Sequence, residues 1–308
     1  MEFHHYSVML SECIQGLHIR SDGIYVDGTA GGGGHSQEIA KRLTSGQLIA
    51  IDKDPDAVYT ATSRLAPFPQ AQVVQSDFSQ LGSVLGQLGL SKVDGILLDL
   101  GVSSFQLDAA ERGFSYMHDA PLDMRMSKAG KSAWDVVNGY EYEDLVRIFR
   151  EYGEEKFSPQ IAKNILRQRQ QAPVETTGEL VEIIEHSMPA KVRRQGGHPA
   201  KRVFQAIRIE VNGELESLSL FLEEAFDFLN PHGRMVILTF HSLEDRMVKQ
   251  RFAALCQGCT CPPEFPVCVC GNKPKGVLIN RKPIGASEQE LEQNSRSKSA
   301  KLRIIEKL

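Results

Sequence analysis

The stretch Gly23-Ile24-Tyr25-Val26-Asp27-Gly28-Thr29-Ala30-Gly31-Gly32-Gly33-Gly34-His35-Ser36 decides how the rest of the chain is read. An apolar run ends in an acid and passes at once into a glycine-dense turn. Beyond it Ile39, Ala40 and Leu43 share one helical face, which stops at Gly46. Ser36 is the expected N-cap of that helix. A strand, a glycine turn and a helix make the first part of a βαβ unit, and the turn is where an open parallel sheet receives a nucleotide-like ligand. Glycines there let backbone approach the ligand and tolerate positive φ. The dinucleotide fingerprint is absent, because neither Gly31 nor Gly32 is followed by glycines at both the third and sixth positions. No Gly-Lys-Ser or Gly-Lys-Thr follows either.

The alternation continues outward. Leu48-Ile49-Ala50-Ile51-Asp52 reads as a buried strand, Asp54-Pro55 as the start of a helix carrying Ala57, Val58, Ala61 and Leu65, and Gln72 to Gln75 as a short third strand. A helix near Leu81 to Leu88 precedes Val93-Asp94-Gly95-Ile96-Leu97-Leu98-Asp99, another apolar strand ending in an acid. This pattern predicts a parallel sheet covered on both faces. From about Gln106 to Lys201 only helical patterns occur. The sheet pattern resumes with a helix through Leu215, Leu218, Leu222, Phe226 and Leu229, the turn Asn230-Pro231-His232-Gly233 and the strand Met235 to Phe240. The reading is an α/β domain in two parts, 1–105 and 202–308, with an all-helical insertion at 106–201.

With 308 residues, 41% hydrophobic and 24% charged, the chain is neither disordered, collagenous nor a coiled coil. A net charge of -4 argues against a protein that coats nucleic acid non-specifically, since that affinity comes from neutralising many phosphates. No run of about 18 apolar residues exists, and Met1-Glu2-Phe3-His4-His5 lacks the features of a secretory signal. The expectation is a soluble, cytoplasmic protein with no membrane partner.

Asp27, Asp52, Asp77 and Asp99 close four successive strands. Asp52 stands where a carboxylate accepts hydrogen bonds from ribose hydroxyls, and Phe78 offers an aromatic face suited to adenine. Four acids at one sheet edge without a phosphate-binding lysine suit a ligand with a cationic centre, such as S-adenosylmethionine.

The chain is also similar to class I S-adenosylmethionine-dependent methyltransferases, whose sheet has seven strands. Within them it resembles the ribosomal RNA small-subunit methyltransferase H (MraW) family over nearly its whole length. The motifs include His5-Tyr6-Ser7-Val8-Met9-Leu10, Gly33-Gly34-His35-Ser36, Asp99-Leu100-Gly101-Val102-Ser103-Ser104 and Arg112-Gly113-Phe114-Ser115. They continue with Pro121-Leu122-Asp123-Met124-Arg125-Met126, Tyr152-Gly153-Glu154-Glu155, Phe204-Gln205-Ala206-Ile207-Arg208-Ile209, Phe240-His241-Ser242-Leu243-Glu244-Asp245-Arg246 and Arg296 to Arg303. The resemblance implies methylation of the exocyclic N4 of a cytidine in the decoding centre (P-site) of 16S ribosomal RNA. It implies cofactor contacts at Gly33, Gly34, His35, Asp52, Phe78, Asp99 and Gln106, a substrate-recognition role for the helical insertion, and a homodimer.

Methyl transfer is an in-line displacement at a sulfonium, so the protein mainly holds the nucleophile against the methyl carbon. A cytosine amine is a weak nucleophile and needs a hydrogen-bond acceptor. Asp99 is the first candidate, beside the alternative that it only contacts the cofactor. Carbon-5 chemistry would need a thiolate, and no cysteine stands near the fourth or fifth strand exits. A flipped base would stack on aromatics, for which Phe105, Phe114 and Tyr116 are candidates against core packing. Pro121 to Met126 reads as a lid, because charge interleaved with Met is a poor helix-core pattern. His241 either faces the site or is structural, and Ser242 to Asp245 has capping-box spacing.

Two basic clusters, Lys191, Arg193, Arg194, Lys201 and Arg202, then Arg281, Lys282, Arg296, Lys298, Lys301 and Arg303, suggest phosphate contacts against the ordinary reading of a solvated face. Cys259, Cys261, Cys268 and Cys270 form two short pairs, which either close a structural zinc site or are free thiols or redox-sensitive pairs. Two rival functions remain at this point: a nicotinamide dehydrogenase, weakened by the missing fingerprint, and a non-catalytic RNA-binding assembly factor.

Overall fold

The computed structural model describes residues 7–193, 197–262, 265, 267 and 269–308. Its strands are β1 (Ile24–Asp27), β2 (Gln47–Asp52), β3 (Ala71–Gln75), β4 (Val93–Asp99), β5 (Leu229–Thr239), β6 (Gly276–Leu278), β7 (Ile284–Gly285) and β8 (Lys301–Lys307). They lie in the order β3-β2-β1-β4-β5-β8-β6, parallel from β3 to β5, with β8 antiparallel to its neighbours. Strands paired on both sides and covered on both faces have no solvent side, which is why β2 and β4 are apolar runs rather than alternations.

The chain divides into two compact units, Met1–Gly101 with Glu216–Leu308, and Val102–Leu215. In the first, successive strand residues feed opposite cores. Val26, Ile49, Ile51, Ile96 and Leu98 pack with Phe221, Phe226 and Phe252 on one face. Tyr25, Leu48, Ala50 and Leu97 pack with Met9, Cys13, Leu17 and Ile39 on the other.

The sheet has eight strands where the resemblance implied seven, because its last position is split. β6 and β7 both pair with the same side of β8, through Ile305 to Lys307 and through Lys301 and Leu302 respectively. Between them the Asn280 side chain replaces backbone pairing: its amide donates to the Leu302 carbonyl (2.9 Å) and its oxygen accepts from Ile304 N–H (2.8 Å).

Two helix starts differ from expectation. The first helix after the glycine turn is Gly34–Ala40, capped by Gly33 at φ 77°, so Ser36 lies inside its first turn. The helix after β5 is Ser242–Leu255, and its cap is His241 rather than Ser242. Glu244 Oε2 accepts from the Phe240 and His241 N–H groups at 2.8 and 3.3 Å, moving the capping box one residue earlier. Asp54 caps the helix Pro55–Leu65 as expected, accepting from Asp56 N–H at 3.0 Å.

The second unit is helical, and its ends at Val102 and Leu215 differ from the expected 106 and 201. The helix Lys201–Asn212 places Val203, Phe204, Ala206 and Ile207 in that unit's own core, together with Leu145, Ile148, Phe149, Ile161, Ile165 and Leu180. Pro121 to Met126 belongs to this core. Leu122, Met124 and Met126 are buried while Asp123 and Arg125 pair outward at 2.7 Å, so the mixed pattern is an irregular packing segment, not a helix.

Candidate functional site

The site is built from the carboxyl ends of β1 to β4 in the α/β unit. Asp27 ends β1 and is only 1% exposed. Its Oδ2 accepts from Ser36 Oγ (2.6 Å) and its Oδ1 from Thr29 N–H (3.2 Å). Burial pushes its carboxyl up to about 6, against the pull of these bonds. Ser36 therefore serves as a buried partner of the first strand-end acid.

The glycine turn is tied to the sheet on both sides, with Gly28 N–H on the Leu97 carbonyl and Ala30 N–H on the Ile51 carbonyl, each at 2.9 Å. At Gly34 a Cβ would stand 2.0 Å from Ser7 Oγ, so that glycine is explained by the chain packed against it. At Gly33 the left-handed φ itself calls for glycine.

Asp52 ends β2. Its Oδ2 accepts from Gly31 N–H (2.8 Å) and its Oδ1 from Asp54 N–H (2.9 Å), which fixes the carboxylate while leaving each oxygen a further lone pair. Burial raises its carboxyl. After β3, Asp77 caps the short turn Phe78–Gln80 and pairs with Lys53 at 3.3 Å. Burial alone would raise Asp77, but Lys53 and the Ser79 N–H hold it below the ordinary carboxylate range. Phe78 is half-buried and meets Phe221 edge to face at 5.6 Å.

Asp99 ends β4, with its own N–H donating to Thr29 Oγ1 at 2.6 Å. Its Oδ2 lies 3.6 Å from His35 Nδ1, while Oδ1 is buried and finds no hydrogen-bond partner among the described residues. Burial, then the negative charges of Asp27 and Glu244, push this carboxyl up to about 8. His35 is buried, its Nε2 3.1 Å from the Val8 carbonyl, and burial lowers its ring to about 4. A half-buried acid with one orphaned oxygen, among acids at the ends of neighbouring strands, fits a cationic ligand.

The MraW methylase family matches residues 2–308. The chain belongs to that family. It is 60% identical over 311 residues to "Ribosomal RNA small subunit methyltransferase H 2" of Agathobacter rectalis, spanning 100% of this chain and 99% of the relative. It is 56% identical over 310 residues to "Ribosomal RNA small subunit methyltransferase H" of Clostridium botulinum, strain Loch Maree, spanning 100% of both. The protein from Ruminiclostridium cellulolyticum with that same name is 55% identical over 313 residues, again across 100% of both chains. The sheet order, with its antiparallel β8, is that of class I methyltransferases, for which S-adenosylmethionine is the methyl donor.

Of the cofactor contacts expected for this methylase, Gly33, Gly34, His35, Asp52, Phe78 and Asp99 all lie in the α/β unit at its strand-end turns. Gln106 lies in the helical unit. There it forms a capping box, its Oε1 accepting from Ser103 N–H (2.9 Å) and its N–H donating to Ser103 Oγ (3.2 Å). Sequence reasoning missed Ser36 and Thr29 as supports of Asp27 and Asp99. The available signal was a buried-type strand ending in Asp27, which called for nearby donors.

Among the aromatic candidates, Phe114 is core, Tyr116 stacks on His198 at 4.5 Å and meets Phe204 edge to face, and Phe105 is 48% exposed. In the second basic cluster, Arg303 and Lys301 pair with Asp245 at 2.7 and 3.2 Å, and Arg281, Lys282, Arg296, Lys298 and Lys301 are exposed. Of the first, Lys191, Arg193, Lys201 and Arg202 are exposed, and Arg194 lies outside the described residues, as do His5 and Tyr6. No helix among the described residues is long and apolar enough to cross a membrane.

Proposed function

We propose that this methylase transfers a methyl group from S-adenosylmethionine to the exocyclic N4 of a cytidine in the decoding centre of 16S ribosomal RNA, acting in the cytoplasm on the small ribosomal subunit. The observation that carries the reading is Asp99, a strand-end acid with one buried, unpartnered oxygen, in a turn already lined by Asp27 and Asp52. The cofactor supplies a methyl carbon on a positively charged sulfur.

Gly33, Gly34 and His35 form the wall of the cofactor site. Asp52 accepts from the ribose hydroxyls, Phe78 covers the adenine, and Gln106 adds a contact that rests on the family resemblance. Asp99 faces the reacting centre, where its carboxylate accepts a hydrogen bond from the cytosine amine and lets the nitrogen lone pair turn toward the methyl carbon. The exposed face of Phe105 stacks on the unstacked base, and the helical unit with Lys191, Arg193, Lys201 and Arg202 holds RNA phosphates. The resemblance adds a second copy of the chain as partner.

A thiol mechanism at carbon 5 has little support. Cys13 is fully buried, with its thiol raised well above the ordinary value by burial and by Asp99. The remaining described cysteines lie between Cys256 and Cys270. Incubation with methyl-labelled S-adenosylmethionine and small subunits from cells lacking the modification tests the proposal. Label should enter 16S RNA with the natural chain and not with Asp52→Ala. Cofactor binding without label transfer to any RNA would instead favour the assembly-factor reading.

A further inference from the structure

We propose that Cys259, Cys261 and Cys270, in the segment after the helix Ser242–Leu255, bind a zinc ion as thiolates. Their sulfur atoms all lie within 4.8 Å of one another, and Cys259 and Cys270 Sγ are 3.7 Å apart. With a Zn–S bond of about 2.3 Å, the edge of a tetrahedral sulfur site is about 3.8 Å, so Cys259 and Cys270 already stand at the separation a zinc ion requires, with Cys261 Sγ within 4.8 Å of both.

The backbone around them is arranged for negative charge on sulfur. Val269 and Cys270 N–H groups both point to Cys261 Sγ at 3.3 Å, Cys261 N–H points to Cys259 Sγ at 3.4 Å, and Thr260 and Asn272 N–H groups point to Cys270 Sγ at 3.4 and 3.5 Å. Five donors aimed at three sulfurs favour thiolates over thiols. The base of the segment is closed independently. Asn272 Nδ2 donates to the Gln257 and Gly258 carbonyls at 3.1 and 2.8 Å, and Lys275 N–H donates to the Leu255 carbonyl at 2.8 Å. A disulfide would use two of the sulfurs and leave the third with its donors unexplained. Soft thiolate ligands select zinc over magnesium or calcium. Cys268 lies outside the described residues, and the proposal rests on the other three cysteines.

The test is metal analysis of the reduced full-length chain, followed by replacement of the metal with cobalt(II). About one zinc per chain is expected, with cobalt giving thiolate charge-transfer absorption and the intense visible bands of a tetrahedral site. Cys259→Ser with Cys270→Ser should abolish both signals while leaving circular dichroism and S-adenosylmethionine affinity unchanged, because neither cysteine belongs to the methyl-transfer site. Cobalt absorption without a thiolate contribution in the reduced natural chain would overturn the proposal. Full zinc content in the double variant, or a Cys259–Cys270 disulfide in a chain that takes up no cobalt, would do the same.

Discussion

His35 Nδ1 faces Asp99 Oδ2 across 3.6 Å, while the other nitrogen of the same ring lies 3.1 Å from the Val8 carbonyl. A carbonyl only accepts, so Nε2 carries the ring proton and Nδ1 presents a lone pair to Asp99. With His35 lowered to about 4 and Asp99 raised to about 8, the free protein at neutral pH holds a neutral histidine beside a protonated carboxyl. A cationic ligand reverses the second term, because it favours the ionised acid.

Cofactor affinity should therefore rise with pH up to about 8, by at most about tenfold per pH unit, as Asp99 gives up its proton on binding. Titration calorimetry at several pH values in buffers of different ionisation enthalpy reads both the affinity and the proton release. Asp99→Asn should flatten the dependence; identical pH profiles for the two proteins would remove Asp99 from the cofactor site.

The same shift acts on stability with the opposite sign. A carboxyl raised in the folded state binds more protons than in the unfolded chain, so the ligand-free protein loses stability as pH rises from about 4 to about 8. Asp27 adds to this between about 4 and 6. Chemical denaturation across this range should show a slope that Asp99→Asn makes shallower by at most about 1.4 kcal/mol per pH unit.

Ser36→Ala removes the hydroxyl that Asp27 accepts from at 2.6 Å inside a buried site. Loss of a hydrogen bond to a buried carboxylate should cost about 1.5 to 3 kcal/mol, seen as a lower Tm at pH 7 and a smaller loss at pH 5, where Asp27 is protonated.

Phe105 and Phe114 should separate cleanly. Truncating the exposed Phe105 to Ala removes a stacking face worth about 1 to 3 kcal/mol, so kcat/KM for RNA should fall by about five- to 150-fold with cofactor affinity unchanged. Phe114→Ala empties part of the helical core and should lower stability by about 3 to 5 kcal/mol. Equal effects of both variants on stability alone would exclude Phe105 as a base contact.

Much of the α/β unit was legible because a strand buried on both faces reads as a continuous apolar run, and Val93 to Asp99 was delimited to the residue. The caps were harder. Gly33 and His241 cap helices through backbone geometry and an imidazole, whereas Ser36 and Ser242 carried the conventional hydroxyl signal one or more residues too late. The split at β6 and β7 depends on an Asn280 side chain standing in for backbone, which no periodicity reports. The burial of Leu122, Met124 and Met126 had no readable periodicity, because it depends on tertiary packing around an irregular segment. At the site, acids at strand ends were readable by position, but the orphaned oxygen of Asp99 and its histidine neighbour required coordinates.

Nucleoside mass spectrometry of 16S RNA, after incubation of unmodified small subunits with the chain and S-adenosylmethionine, addresses the central claim directly. N4-methylcytidine formed by the natural chain and lost in Asp99→Ala is the predicted result. Methylation at carbon 5, or none despite measurable cofactor binding, would contradict it.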